Sequence, residues 1–235
     1  MKRTFIIGFV NLFNIQRHGS GLWRIVGNLI RLAVDLGLHR NPSEQWMFSP
    51  KECQLRRRLW FICVEHDRNT SMLLGRPLGI QEADFNTLAP DRYLTGPGRE
   101  PVALYSEHFD LSLGLGRIQA EVVNSLYRSG ELSGEQVVLC AIGIERSLEQ
   151  WRLKVPKHYR RLFVGHSHKR IDERRKLLTS VTPECGITML KYGILRMCVL
   201  RSVFSNENVS AHLRYKTLHD GALDDLSSTS YVPNN

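Results

Sequence analysis

The fold is decided by one stretch of the chain, residues 49–77, which reads SPKECQLRRRLWFICVEHDRNTSMLLGRP. The motif Ser49-Pro50-Lys51-Glu52 combines a capping serine, a proline at the first helical position and a glutamate at the third. Apolar residues then recur every three or four positions, the spacing of one helical face. Gly75 and Pro77 predict the end of this helix, because proline cannot continue it. The stretch therefore predicts a long helix that begins after Ser49 and stops near Gly75.

Signals of the same kind predict four more helices. The first covers residues 20–36, and its many apolar residues predict burial on most of its sides. The others are expected over residues 104–128, after the capping motif Ser133–Gln136, and from Thr182 onward. Residues 75–104 and 157–182 are predicted as loops, and alternating strand patterns are nearly absent. The predicted fold class is all-α: a single irregular multi-helix domain of about five to seven helices.

Composition excludes several classes of protein. The 32 Lys and Arg outnumber the 23 Asp and Glu, which gives a formal net charge of +9. This charge permits attraction to nucleic acid, but it is scattered along the chain rather than gathered on one face. The five cysteines contain no C-x-x-C pair, which excludes a disulfide scaffold and favours a reducing compartment. The apolar run of residues 5–13 is too short to span a bilayer, so no membrane partner is predicted.

Three regions are predicted along the chain. Residues 1–14 are interpreted as a partial leading helix whose beginning lies outside this sequence. Residues 15–204 are expected to form the domain, and residues 205–235 a poorly patterned, frayed tail. The chain is therefore interpreted as part of a longer product.

Motifs for catalysis or metal binding are weak. Gly114-Leu115-Gly116 lacks the third glycine and the preceding strand of a dinucleotide site. His166 and His168 have no evident third ligand, so a solvated loop is favoured over a metal site. The basic segment 157–176 is also interpreted as a solvated loop rather than a nucleic-acid or nuclear-import patch, because acidic residues interrupt it.

The arginines of the central stretch form the most unusual cluster. Residues 56–58 are three consecutive arginines that point in directions about 100° apart, so at least one faces inward. A buried arginine requires a carboxylate partner. We expect Arg76, on the loop that follows the helix, to pair with Asp67. Asp35 or Asp84 is expected to serve the arginines of the helix itself.

Two roles are open for this cluster. A structural hydrogen-bond network is favoured, because no base–nucleophile pair lies within the cluster. The alternative is an all-α enzyme that binds an anionic substrate through Arg58, Arg68 and Arg76. Such an enzyme would gather these arginines with His66 or Asp67 around an open pocket.

Taken together, these segments resemble the middle homology region, or fungal-specific transcription factor domain, of fungal zinc-cluster transcription factors. The segments that carry the resemblance are Leu32–Arg40, Arg56–Trp60, Asp67-Arg68, Leu74–Ile80 and Asp84, followed by residues 117–119, residues 148–152 and Pro156, and more loosely by residues 190–192. The resemblance covers residues 15–204 and is most specific over residues 29–84.

The resemblance assigns a structural role to twelve motif positions, and no catalytic, cofactor-binding or metal-binding residue. These positions are Asp35, Gly37, His39, Arg57, Arg58, Trp60, Asp67, Arg68, Gly75, Arg76, Pro77 and Asp84. The implied function is regulation of RNA polymerase II transcription in the nucleus, with no enzymatic activity. In that family DNA is held by a separate zinc-cluster module, and none of the five cysteines here has its spacing, so zinc is implied only for a module absent from this chain. The implied partners are DNA, reached indirectly through that module, a small-molecule effector or coregulator protein, and a second copy in a homodimer.

Overall fold

The structure is a computed structural model that describes residues 21–45, 47–96, 99–127, 132–160, 163, 172, 179 and 181–210. Three predicted features lie outside these residues: the leading helix of residues 1–14, the pair His166 and His168, and most of the basic segment 157–176. Among the described helices, none combines the length and apolar character that a membrane span requires.

Helices dominate the described part of the chain, so the predicted all-α class is confirmed. The elements are α1 (residues 21–35), α2 (Pro50–Leu74), β1 (Tyr93–Gly96), β2 (Arg99–Ala103), α3 (Glu107–Leu126), α4 (Gly134–Lys154), the short α5 (Lys157–Arg160) and α6 (Pro183–Ser205). Two single turns of 3-10 helix, Pro42–Glu44 and Glu82–Asp84, follow α1 and α2.

The predicted helix starts are confirmed where a cap specified them. The side chains of Ser49, Ser133 and Thr182 accept hydrogen bonds from the third amide of α2, α4 and α6. Helix α3 begins later than predicted, after Ser106, whose side chain accepts from the amide of Phe109. Local capping chemistry therefore sets where these helices begin.

The prediction of a strand-free loop over residues 75–104 is wrong. Strands β1 and β2 pair antiparallel, with Tyr93 opposite Ala103 and Gly96 opposite Arg99. Strands of four and five residues are too short to leave an alternating pattern in the sequence. The hairpin joins the loop after α2 to the start of α3.

The larger hydrophobic core lies between α3, α4 and α6. Leu115, Leu148 and Leu195 have no exposed surface there. Trp151 packs at one side of this core, with its indole ring stacked on Tyr192 at a centroid distance of 5.8 Å. We call this cluster the three-helix core.

A smaller core lies between α1 and α2, around Trp60 and Ile80. The prediction that α1 is buried on most sides is wrong. Ala33 is buried, whereas Ile25 and Leu32 are 66% and 57% exposed. The side of α1 that faces α2 is packed, while the side that carries Ile25 and Leu32 is open to solvent.

After α6, residues 206–210 turn back toward the start of α4. Val209 is buried in the three-helix core. Its neighbour Asn208 lies so close to Gly134 that a β-carbon there would be 2.0 Å from the Asn208 carbonyl oxygen. Packing against the three-helix core therefore continues past the predicted domain end at 204, and residues 211–235 lie outside the described part.

Candidate functional site

Helix α2 carries five of the twelve motif residues, and its two ends lie in different parts of the domain. Its start is fixed by a reciprocal capping box between Ser49 and Glu52, and its end by Gly75, which adopts φ +61°. Only glycine takes this left-handed conformation without strain. Trp60, Asp67 and Arg68 lie on the buried side of the helix.

Asp67 is 2% exposed and holds the returning loop through its main chain. Its Oδ1 accepts from the amide of Gly79 and its Oδ2 from the amide of Ile80, each at 3.0 Å. Burial raises the pKa of the Asp67 carboxyl, while the two amides and neighbouring Arg68 act in the opposite direction. The predicted pairing of Asp67 with Arg76 is wrong: backbone amides of the loop bond to the carboxylate, and the Arg76 guanidinium lies over Trp23 instead.

Gly79 lies in the narrowest part of this contact. A β-carbon at this position would be 2.9 Å from Cδ1 of Ile30 and 3.0 Å from Oδ1 of Asp67. A side chain at this position would therefore press on Ile30 and on the Asp67 carboxylate, and these neighbours would have to shift. The sequence analysis did not assign this role to Gly79, although the position lies inside the Leu74–Ile80 motif.

Arg68 is 3% exposed, and its guanidinium pairs with Glu82, the first residue of the second 3-10 turn. Burial lowers the pKa of Arg68, and Glu82 opposes that shift. Beside it, the Ser71 hydroxyl donates to the Pro77 carbonyl oxygen at 3.1 Å. We call the contacts of Asp67, Arg68 and Ser71 with residues 77–82 the loop-bracing network. The Glu82 partner was missed, because it is a surface glutamate with no distinguishing pattern around it.

Arg76 takes a different partner from the one predicted. Its guanidinium lies over the ring of Trp23 in α1, 4.7 Å from the ring centroid. This is a cation–π contact, and it ties the exit of α2 to the start of α1.

The three consecutive arginines reach three separate segments, as their predicted divergence requires. Arg56 donates to the Leu36 carbonyl oxygen at the end of α1. Arg57 donates to the Ser43 hydroxyl at 2.9 Å, and Arg58 to the Leu104 carbonyl oxygen at 2.7 Å. The start of α2 is thereby fastened to α1, to the first 3-10 turn and to the hairpin.

The prediction that Asp35 or Asp84 serves these arginines is wrong. Asp35 is exposed on α1. Asp84 accepts from the amide of Gln81 at 2.7 Å, which closes the second 3-10 turn. Carbonyl oxygens, the Ser43 hydroxyl and Asp91 take the place of these two carboxylates; Asp91 lies 3.7 Å from Arg57.

Trp60 is the aromatic centre of the smaller core. Its ring meets Phe85 edge-on at 5.5 Å and lies 6.1 Å from His39. The His39 carbonyl oxygen accepts from the amides of Asn86 and Thr87 at 3.1 and 3.3 Å, which joins the segment after α1 to the segment after α2. Gly37, at φ +66°, makes the turn that places His39 there.

The arginines required by the enzyme alternative do not converge. Arg58 binds the hairpin, Arg68 is buried against Glu82, and Arg76 covers Trp23. His66 is exposed on α2, away from the Asp67 carboxylate that holds the loop. Within the described residues, no group of three or more His, Cys, Asp and Glu side chains is arranged to hold a metal ion. The geometry is that of a bracing network, with the polar groups of the motif directed at other parts of the same chain.

Comparison with known proteins shows what this chain is similar to. Residues 5–93 match the family described as "Fungal specific transcription factor domain". An acetamidase regulatory protein of Aspergillus oryzae is 32% identical over 139 residues, which cover 57% of this chain and 17% of that protein. Pyrimidine pathway regulatory protein 1 of Saccharomyces cerevisiae is 31% identical over 170 residues, which cover 63% of this chain and 18% of that protein. A Zn(2)-C6 fungal-type transcription factor of Macrophomina phaseolina is 38% identical over 72 residues, which cover 31% of this chain and 10% of that protein.

These relatives are transcription regulators by their descriptions. More narrowly, residues 5–93 match the fungal-specific transcription factor domain family, and the relatives include a transcription factor of the Zn(2)-C6 type, as the resemblance predicted. The chain spans less than a fifth of the length of these relatives. No solved structure matches the chain.

Proposed function

We propose that this chain is the regulatory domain of a nuclear transcription factor that controls RNA polymerase II transcription without catalysing a reaction. Sequence-specific DNA contact is made by a zinc-cluster module that residues 1–235 do not contain. The domain is proposed to occupy residues 15–204, closed by the turn at 206–210, with the twelve motif positions as its structural framework. A small effector or a coregulator protein would bias the domain between two states.

The observation that carries this proposal is the use made of the motif side chains. Asp67 and Arg68 are buried, and each is bonded to the loop that follows α2. The three arginines of residues 56–58 bond to three other segments of the chain. These groups bond to other parts of the same chain and not to a shared substrate site. This use of the motif favours a regulatory domain, which transmits a conformational change, over an enzyme active site.

A tethering experiment tests the proposal. Residues 1–235 would be fused to an unrelated DNA-binding domain in a fungal host that carries a reporter with the matching DNA site. We expect reporter output to differ from that of the DNA-binding domain alone, and we expect the untethered chain to be inert. The Asp67→Ala variant should lose the effect, whereas Asp35→Ala, a matched change at an exposed aspartate, should keep it. An effect of the untethered chain, or none from the fusion, would contradict the proposal.

A further inference from the structure

A small cavity lies between the first turns of α2 and the base of the hairpin, outside the loop-bracing network. Its volume is about 190 Å³. Leu55 contributes to the helical wall, and Pro90, Leu104 and Tyr105 form the opposite wall. The lining is therefore mostly carbon, and the cavity is smaller than pockets that hold drug-sized ligands.

Hydrogen bonds on several sides hold the cavity open in one shape. Arg58 donates to the Leu104 carbonyl oxygen at 2.7 Å, and the Tyr105 hydroxyl donates to the Pro90 carbonyl oxygen at 2.8 Å. The amide of Asp91 donates to the side-chain oxygen of Gln54 at 2.8 Å. Because the walls are fixed before anything binds, a ligand would lose little free energy in ordering them.

The charged groups that line the cavity are both cations. Lys51 lies four residues before Leu55 and Arg58 three residues after it, so the two cations are about two helical turns from each other along the side of α2 that lines the cavity. Within the described residues, Nη2 and Nε of Arg58 donate to no partner, and Lys51 forms no ion pair. Asp91, which follows the wall residue Pro90, is already bonded to Gln54 and paired with Arg57. An apolar recess with unpaired donors at its rim suits a carbon chain or ring that ends in a carboxylate.

We propose that this cavity binds a small monocarboxylic acid with an apolar tail, whose carboxylate meets Lys51 and Arg58 and whose tail lies against Leu55 and Leu104. The inference rests on the proposed function, since it names the chemical class of the effector. A ligand in this cavity would contact α2, the base of the hairpin and Tyr105, which precedes the first residue of the α3 cap, Ser106. Its binding would therefore favour the arrangement in which α2, the hairpin and α3 are joined.

The test is a titration of the isotope-labelled full chain, followed by backbone amide NMR. The probes are hexanoate and benzoate, and the neutral controls are hexanamide and benzamide. We expect saturable shifts at residues 51–58 and 104–106 with the acids and not with the amides. Absence of saturable shifts there, or equal binding of the amides, would overturn the proposal.

Two variants separate the cavity from unspecific attraction to a basic protein. Lys51→Gln should weaken binding of the acids roughly tenfold, the scale of one charge-assisted hydrogen bond. Leu55→Phe should abolish it by filling the recess. Lys154→Gln, at an exposed lysine near the end of α4, is the matched control and should bind like the parent. Lys51 and Leu55 are both exposed on α2, and melting curves would verify that the variants fold. Acid binding that survives both changes in a folded chain would overturn the proposal. A working tethered reporter together with no acid binding would reject this inference alone.

Discussion

Two regions of the domain, the loop-bracing network and the three-helix core, are stabilised by different kinds of interaction. The loop-bracing network consists of buried charge, hydroxyl groups and main-chain amides around Asp67 and Arg68. The three-helix core, in contrast, is built from side chains such as Leu148 and Leu195 that have no polar atom and no exposed surface.

The difference predicts how substitutions in each region reduce stability. In an apolar core the loss of stability grows with the volume of the cavity left behind. A buried polar group that loses its partner retains its full desolvation cost. Local opening energies also vary across one structure. We therefore expect damage to the network to open residues 75–86 first, and damage to the core to lower the stability of the whole domain.

Asp67→Ala should give the largest loss. It leaves the amide of Gly79 and the buried amide of Ile80 without an acceptor, and Arg68 without the neighbouring negative charge. We expect the free energy of unfolding to fall by about 4 kcal/mol. Urea unfolding measures this, and hydrogen exchange should show protection lost first at residues 75–86. Asp35→Ala, on an exposed aspartate, should change stability by less than about 0.5 kcal/mol. Equal effects of the two variants would contradict the network.

Leu195→Ala should come next, with a loss of about 3 kcal/mol from the cavity in the three-helix core. Leu190 is the control on the same helix, since it is 45% exposed against 0% for Leu195. Leu190→Ala should be nearly neutral. Hydrogen exchange in Leu195→Ala should accelerate across α3, α4 and α6 together; acceleration confined to one helix would show that the core is not a single unit.

The sequence predicts this molecule best where the cause is local. The start of α2 follows from four adjacent residues, Ser49–Glu52, and its end from Gly75, so both could be placed without knowledge of the fold. That at least one of the consecutive arginines faces inward was also predictable from helix geometry, and Arg57 is buried.

The identity of the partners was not predictable. Asp67 is bound by main-chain amides, which every residue except proline carries, so no letter of the sequence marks them. Glu82 and the Leu104 carbonyl oxygen depend on the path of the loop and hairpin, which is set by contacts distant in sequence. The open side of α1 was missed for a similar reason: an apolar residue such as Ile25 indicates what could be buried, not what covers it.

Gly114→Ala tests how tightly the three-helix core is packed. By helix propensity alone, alanine at Gly114 should stabilise α3 by roughly 1 kcal/mol. In the structure a β-carbon there would be 2.7 Å from Cδ1 of Trp151. Trp151 cannot yield easily, because its indole N–H donates to the Leu111 carbonyl oxygen and its ring is stacked on Tyr192. We expect a net loss of about 1–2 kcal/mol in chemical unfolding.

Gly143 provides the matched control for this change. A β-carbon at Gly143, inside α4, would meet no atom within 4 Å. Gly143→Ala should therefore show the propensity gain of up to about 1 kcal/mol without a clash. A stabilising Gly114→Ala would show that the core around Trp151 has room to adjust, and would weaken the contrast between the two regions.

The smallest effect expected is a pH dependence at the junction of α3 and α6. His108 is partly buried. The Thr188 hydroxyl donates its hydrogen to the Glu184 carbonyl oxygen, so the Thr188 oxygen accepts from Nδ1–H of His108 at 2.7 Å. Burial lowers the pKa of His108 below its usual 6.5, and the charge of Lys191 lowers it further. As the pH falls below 6.5, the unfolded chain gains a proton that the folded chain does not, so stability decreases toward acid pH. Melting temperatures measured between neutral pH and pH 5 should fall. His108→Gln should flatten that decline, while His66→Gln, at an exposed histidine of α2, should leave it unchanged. An equal decline in both variants would assign the acid sensitivity to other groups.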